Sequence, residues 1–115
     1  MKLLTQAVRK SLPPLYSQDG KGEDAIVQVK YFDPSGSWTW FCTEASAMLA
    51  DGTSVPLTDA RAKDAEDVTF FGLVIGLETE LGYFSLNELE GVRGRFGLGI
   101  ERDLYFTPKP LKECK

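Results

Sequence analysis

The residue types that most often perform chemistry are scarce in this chain of 115 residues. It contains no histidine, which removes the commonest general base, the serine–histidine and cysteine–histidine nucleophile pairs, and most transition-metal sites. Its cysteines are Cys42 and Cys114, whereas zinc bound by thiolates alone needs about four of them. We therefore predict no catalytic residue, no metal site and no cofactor, and we expect a protein that is not an enzyme.

Carboxylates are plentiful, and they leave one kind of enzyme open. Glu101 and Asp103 are two residues apart, and Mg²⁺ binds through one or two carboxylates together with waters or substrate phosphates. Their spacing matches no hydrolase or nuclease signature, and Asp and Glu side chains are mostly exposed for solubility. A carboxylate–metal hydrolase is therefore the least favoured of three functional hypotheses.

Two tryptophans and an acidic stretch form the candidate interaction surface. Trp38 and Trp40 should share one face of a strand. There they either belong to the core, anchor a protein partner or form a platform on which bases stack. Residues 64–91 contain no Lys or Arg, and Glu78 and Glu80 fall at a predicted turn within them. This acidic stretch either keeps the surface soluble or docks a protein partner with a basic surface, which is our leading hypothesis.

Three arginines are candidate ligands of an anion, namely Arg93, Arg95 and Arg102. The first two lie in the glycine-rich run 91–99, which lacks the Walker spacing and follows a predicted helix instead of opening one. We predict a flexible connector there. The alternative to protein binding is a single-stranded nucleic-acid binding module, with these arginines on the phosphates and the tryptophans on the bases. The net charge of −4 disfavours it.

The elements that must position these residues are short. Thr5 to Leu12 predicts a first helix, which Thr5 caps and Pro13-Pro14 ends. Ser85 predicts the start of a second helix, with Glu88 three residues later completing a capping box. Residues 58–67 are polar and alanine-rich, which is typical of a short exposed helix.

Strand patterns occupy most of the remaining chain. They cover residues 25–32, 37–43, 47–50, 53–57, 68–76, 82–84 and 103–107. Residues 33–36 and Asp51-Gly52 are typical of hairpin turns, and short connections imply antiparallel pairing. The sequence thus predicts one α+β domain over residues 1–115, with a mostly antiparallel sheet of about five to seven short strands and two short helices. Its aromatic core should include Phe70, Phe71, Tyr83, Phe84, Tyr105 and Phe106.

The sequence contains neither a membrane-spanning helix nor a secretory signal by its apolar pattern. The longest apolar run, residues 68–77, is about half the length that a spanning helix needs. Residues 1–6 lack the long apolar region of a secretory signal. We expect a cytoplasmic protein without a membrane partner, in which both cysteines stay reduced.

Several segments together resemble a small bacterial family known only as a domain of unknown function. They are residues 3–5 (LLT), 12–18 (LPPLYSQ), 38–40 (WTW), 70–76 (FFGLVIG), 80–89 (ELGYFSLNEL) and 101–106 (ERDLYF). The resemblance covers nearly the whole chain, although residues 45–67 look longer than in the family pattern. It implies an accessory protein of a mobile genetic element, such as a plasmid, integrative element or phage. Such a protein would act in anti-defence, replication or transfer. The resemblance implies no activity, cofactor or catalytic residue.

Overall fold

The chain folds into an α+β domain, as predicted. Its strands include segments in which apolar and polar residues alternate and one segment that is apolar on both faces. The computed structural model describes residues 1–114, except for the side chain of Arg95. Its strands are β1 (Ile26–Val27), β2 (Val29–Phe32), β3 (Thr39–Met48), β4 (Ser54–Pro56), β5 (Asp67–Ile75), β6 (Thr79–Ser85), β7 (Glu101–Arg102) and β8 (Lys109–Pro110). Its helices are α1 (Gln6–Ser11) and α2 (Leu86–Gly91), with short 3-10 turns at Gly22–Asp24, Ala60–Asp64, Arg95–Gly97 and Leu111–Glu113.

Both helices begin at the caps that the sequence predicts. The Thr5 hydroxyl accepts a hydrogen bond from the backbone N–H of Val8 at 3.3 Å, which satisfies a free donor in the first turn of α1. The Ser85 hydroxyl accepts one from the N–H of Glu88 at 3.1 Å and opens α2 in the same way. Residues 58–67 form a 3-10 turn, Ala60–Asp64, instead of an α-helix.

Six strands form one antiparallel sheet. Their order is β6-β5-β3-β2-β7, and β4 pairs with β3 outside this path, so the Asp51-Gly52 hairpin is confirmed. The apolar segment at residues 68–76 becomes β5, which lies between β6 and β3 as a central strand should. A separate ladder joins β1 to β8.

A bulge divides β3, and it explains why the chain forms one strand where the sequence predicts two. Cys42 lies opposite Gly72 of β5 and Glu44 lies opposite Phe71, so that Thr43 is the extra residue. Because side chains alternate along a strand, one extra residue moves every later side chain to the other face. The sequence pattern breaks at this point, and we predicted two strands, 37–43 and 47–50, where the chain forms one strand of ten residues.

The sheet has a core on each face. The larger core packs α1 and α2, through Val8 and Leu89, against the buried rings of Tyr31 and Phe70. The Tyr31 hydroxyl donates to the backbone oxygen of Leu3 at 2.6 Å. The smaller core, on the other face, contains these buried side chains: Ala25, Val27, Phe41, Leu73 and Leu111.

The predicted last strand, residues 103–107, is wrong. The Asp103 carboxylate accepts a hydrogen bond from the N–H of Tyr105 at 2.9 Å, and this local turn ends pairing after β7. Tyr105 is consequently 94% exposed, and Tyr83 is 56% exposed, so neither belongs to the core that we predicted. Within residues 1–114, no helix has the length and apolar character needed to cross a membrane.

Candidate interaction surface

The tip of the β5–β6 hairpin carries several of the predicted interaction residues. The N–H of Gly76 donates to the backbone oxygen of Glu78 at 3.0 Å and closes the turn around Leu77, which is 94% exposed. The indole of Trp38 lies against Gly76 so closely that a Cβ there would be 2.5 Å from the ring. Trp38, Leu77 and Glu78 therefore lie together at one end of the sheet, and Glu80 follows in β6.

Trp40 is not part of this surface, which corrects its assignment as an interaction residue. It lies in β3 between Tyr31 and Val74 of the neighbouring strands and is 7% exposed in the larger core. Trp38 precedes β3 and is 40% exposed, with its ring centroid 6.0 Å from that of Trp40. The buried indole supports the exposed one, and of these two indoles Trp38 alone is available to a partner.

Strand β6 is an outer strand with apolar side chains in solvent. Among the described strands it pairs with β5 alone, over seven registered residues from Thr79 to Ser85. Leu81 and Tyr83, which share one face, are 53% and 56% exposed. Proteins usually protect a sheet edge by shortness, bulges, proline or several charges, since its free N–H and C=O groups pair readily with another chain. β6 has one charged side chain, that of Glu80, and no proline.

The buried carboxylate of Glu44 lies two strands away from Tyr83, and no sequence pattern above predicts it. Tyr83 of β6, Phe71 of β5 and Glu44 of β3 are direct neighbours across the sheet. Glu44 is 3% exposed, and its Oε2 accepts hydrogen bonds from the N–H of Gln18 at 2.7 Å and the hydroxyl of Ser17 at 3.4 Å. The one signal that could have revealed it was a charged residue inside an otherwise uncharged strand segment.

The loop that supplies these donors is held in one place by the side chain of Gln18. Its amide nitrogen donates to the backbone oxygens of Ile26, at 3.0 Å, and Thr43, at 2.8 Å. Its oxygen accepts from the N–H of Ile26 at 2.7 Å. Tyr16 has a φ of 74°, in the left-handed region that a non-glycine residue seldom occupies. The side-chain hydrogen bond with Tyr16 raises the pKa of Tyr83 above its ordinary value, and the nearby charge of Glu44 adds to this.

A cavity of about 200 Å³ lies between this loop and the sheet. Its polar wall is formed by Gln18, Asp19 and Glu44, and its apolar wall includes Phe71, Leu81 and Leu111. Leu81 belongs to the exposed outer strand as well, so that the cavity and the β6 edge share a boundary. A carboxylate-lined cavity thus adjoins the interaction surface.

The three predicted anion-binding arginines do not meet in one cavity. Nη1 of Arg93 donates to the backbone oxygens of Glu90 and Val92, both at 2.7 Å, and so caps the end of α2. Arg102, in β7, lies opposite Tyr31, and its Nε is buried without a hydrogen-bond partner. The side chain of Arg95 lies outside the described part of the structure.

The acid pair near the C-terminus is used in part by the fold. The Asp103 carboxylate lies 3.5 Å from Nζ of Lys30, and Glu101 lies in β7 opposite Phe32. Among the described residues, no three His, Cys, Asp or Glu side chains are grouped so that they could hold a metal ion. Both thiols are free, and burial raises the pKa of the Cys42 thiol well above its usual value.

Comparison with known proteins gives one match. A family model described as "Protein of unknown function (DUF2958)" matches residues 3–112, a range that includes both α-helices and all eight strands of the described structure. No curated protein and no solved structure matches the chain.

Proposed function

Because this chain belongs to the DUF2958 family of proteins of unknown function, its role must be argued from its own surface, and we propose that it acts by binding another protein. The proposal involves no catalytic step. One observation carries it: β6 is a seven-residue outer strand, unpaired on one side among the described strands, that holds Leu81 and Tyr83 in solvent.

Main-chain pairing would supply the affinity. An extended segment of a partner can add to a free sheet edge, where each new backbone hydrogen bond satisfies a group that is otherwise solvated. The exposed side chains of Trp38 and Leu77, at the same end of the hairpin, offer apolar anchors for that partner. Glu80 shares the face of Trp40, and Leu81 shares the opposite face with Phe41, so a segment added to β6 would border side chains on both faces of the sheet.

The charge of this surface favours a basic partner. Glu78 and Glu80 are both exposed, and no Lys or Arg occurs in the sequence between residues 64 and 91. Complementary charge raises the rate of encounter and rejects acidic competitors more than it adds affinity. We propose a partner with a basic surface for this reason.

The biological setting is part of the same proposal and is supported by the family resemblance alone. An accessory protein of a mobile genetic element would meet its partner in the cytoplasm. That partner would be a component of host defence, or of replication or transfer. Small proteins in such a setting commonly act by binding.

Single-stranded nucleic-acid binding has less support. The hypothesis stacks bases on both indoles and places three arginines on the phosphates, whereas Trp40 is buried and Arg93 is engaged with the end of α2. Of the two indoles, Trp38 remains for stacking.

The proposal is tested by affinity capture from the native host with the tagged protein and two double variants. Glu78→Lys/Glu80→Lys reverses the charge of the surface, and we expect it to lose most of the captured partner. Asp64→Lys/Glu66→Lys makes the same change at the opposite end of β5, where both side chains are also exposed, and it should capture as the unmodified protein does.

Circular dichroism should show that both variants are folded. Equal capture by the hairpin-tip variant and the unmodified protein would contradict the acidic surface. Loss of capture in both variants to the same degree would show a general charge effect and would also contradict it.

A further inference from the structure

We infer that the cavity beside Glu44 receives a basic side chain of the partner, an arginine in preference to a lysine. This inference rests on the proposed function, because it names the chemistry by which a protein partner is recognised. It concerns a different part of the surface from Glu78 and Glu80, so the two can fail separately.

The carboxylate of Glu44 is buried, with 3% of the residue exposed. Glutamate side chains are almost never buried to this degree unless a cation pairs with them. None of the described Lys and Arg side chains forms an ion pair with Glu44. Its Oε2 is occupied by Gln18 and Ser17, while no described donor bonds Oε1. A cation from outside the chain could bind Oε1 and pair with the charge of Glu44.

The walls of the cavity suit the rest of an arginine side chain. The Phe71 ring forms one wall and is itself held by Tyr83, whose ring centroid lies 4.9 Å away. A guanidinium is planar, weakly hydrated and attracted to aromatic faces, whereas an ammonium is compact and strongly hydrated. Leu81 and Leu111 are apolar surfaces for the methylene stem, and Asp19 adds a second negative charge.

The position of the cavity connects it to the outer strand. Leu81 lines the cavity and is at the same time 53% exposed on β6. A partner that covers β6 would therefore contact a residue that lines the cavity. The bulge at Thr43 brings Glu44 to this face, and β-bulges often re-aim a side chain at a functional site.

The backbone amide of Gln18 is a local reporter for the test, since it donates directly to Glu44. We would titrate the ¹⁵N-labelled full-length protein with N-acetyl-arginine amide at constant ionic strength and follow amide chemical shifts. We expect a saturable shift of the Gln18 resonance. N-acetyl-lysine amide should bind more weakly, and the uncharged N-acetyl-norleucine amide should leave the resonance in place.

Two variants locate the effect. Glu44→Gln keeps an acceptor for the Gln18 N–H but removes the charge, and it should weaken binding of the arginine amide by about tenfold or more, since a hydrogen bond to a charged group is the stronger kind. Asp51→Asn removes a remote, exposed charge and should bind as the unmodified protein does.

Three results would overturn the inference: no shift at Gln18, an equal shift with the norleucine amide, or unchanged binding in Glu44→Gln. Should Glu44→Gln fail to fold, the comparison of arginine with norleucine amide on the unmodified protein decides the question. Glu78→Lys/Glu80→Lys should retain the titration, because these residues lie outside the cavity. Loss of partner capture in that variant with a normal titration would separate the two proposals.

Discussion

The backbone N–H of Gln18 donates to the buried carboxylate of Glu44 across 2.7 Å, although 26 residues separate them in the chain. This bond joins an irregular loop to the middle of the longest strand. On the same side of the sheet, the loop, the bulged strand and the outer strand enclose a carboxylate-lined cavity. The position of the loop therefore sets part of the wall of this cavity.

Removal of the Gln18 side chain should loosen this loop. Gln18→Ala deletes two hydrogen bonds to the partly buried backbone of Ile26 and one to the buried backbone oxygen of Thr43. With a net value of about 1 kcal/mol for each bond, the free energy of unfolding should fall by about 2–3 kcal/mol in urea denaturation. Gln6→Ala, at an exposed position, is the control. A loss below about 0.5 kcal/mol would show that the loop is not held by this side chain.

Two glycines facing each other across β5 and β6 should respond in opposite ways to the same change. A Cβ at Gly72 would lie 1.8 Å from the backbone oxygen of Phe41, whereas a Cβ at Gly82 would meet nothing within 4 Å. Gly72→Ala should therefore lower the free energy of unfolding by about 3 kcal/mol or more, because β3 and β5 must separate. Gly82→Ala should be neutral or slightly stabilising. Similar denaturation midpoints for the two variants would contradict the close approach of these strands.

Substitution of Arg102 should not cost stability. Its Nε is buried without a hydrogen-bond partner among the described residues, so the fold carries the desolvation of that donor without compensation. Arg102→Met retains much of the apolar stem and removes the donor. We expect a free energy of unfolding that is unchanged or higher by up to about 1 kcal/mol in urea denaturation. A loss of more than about 1 kcal/mol would show that the guanidinium has a partner in solution.

The burial of Tyr31 makes stability fall at alkaline pH. Burial raises the pKa of its hydroxyl far above the ordinary value of 10.0, so the folded protein keeps a proton that the unfolded chain releases. The stability from this group is fully present below pH 10 and is lost progressively above it, by about 1.4 kcal/mol per pH unit. Tyr31→Phe should show a shallower decline between pH 10 and 11 than the unmodified protein in urea denaturation.

Tyr105→Phe is the matched control for this titration, because Tyr105 is 94% exposed. It should decline with pH as steeply as the unmodified protein does. If Tyr31→Phe declines equally steeply, then the Tyr31 hydroxyl is ionised in the folded protein near pH 10, and the prediction is wrong.

Features that depend on neighbours in the sequence were predictable. Both helix caps are contacts over three residues, Thr5 to Val8 and Ser85 to Glu88, and the Asp51-Gly52 hairpin is a local turn. Such contacts involve only a few neighbouring residues, so the residue types alone predict them. The α+β class and the central position of β5 follow from alternation and apolar content in the same way.

The candidate site was predictable only in part. Glu78 and Trp38 were selected from charge and residue type, and the structure places both at one end of the sheet. The burial of Trp40 beside an exposed Trp38 depends on where β3 begins and on which strands flank it. Tyr83 and Tyr105 were expected in the core, because an aromatic residue carries no local sign of whether its strand lies at the edge or ends early.

The sequence by itself determined a single α+β domain with an acidic central stretch and without histidine. Tertiary structure alone decided the outer position of β6, the bulge at Thr43 and the burial of Glu44. These depend on pairing between segments distant in the chain, and a shift of one residue in that pairing exchanges the two faces of a strand. No local sequence pattern predicts such a shift, because the contacts that stabilise one register over another form only after the strands have paired.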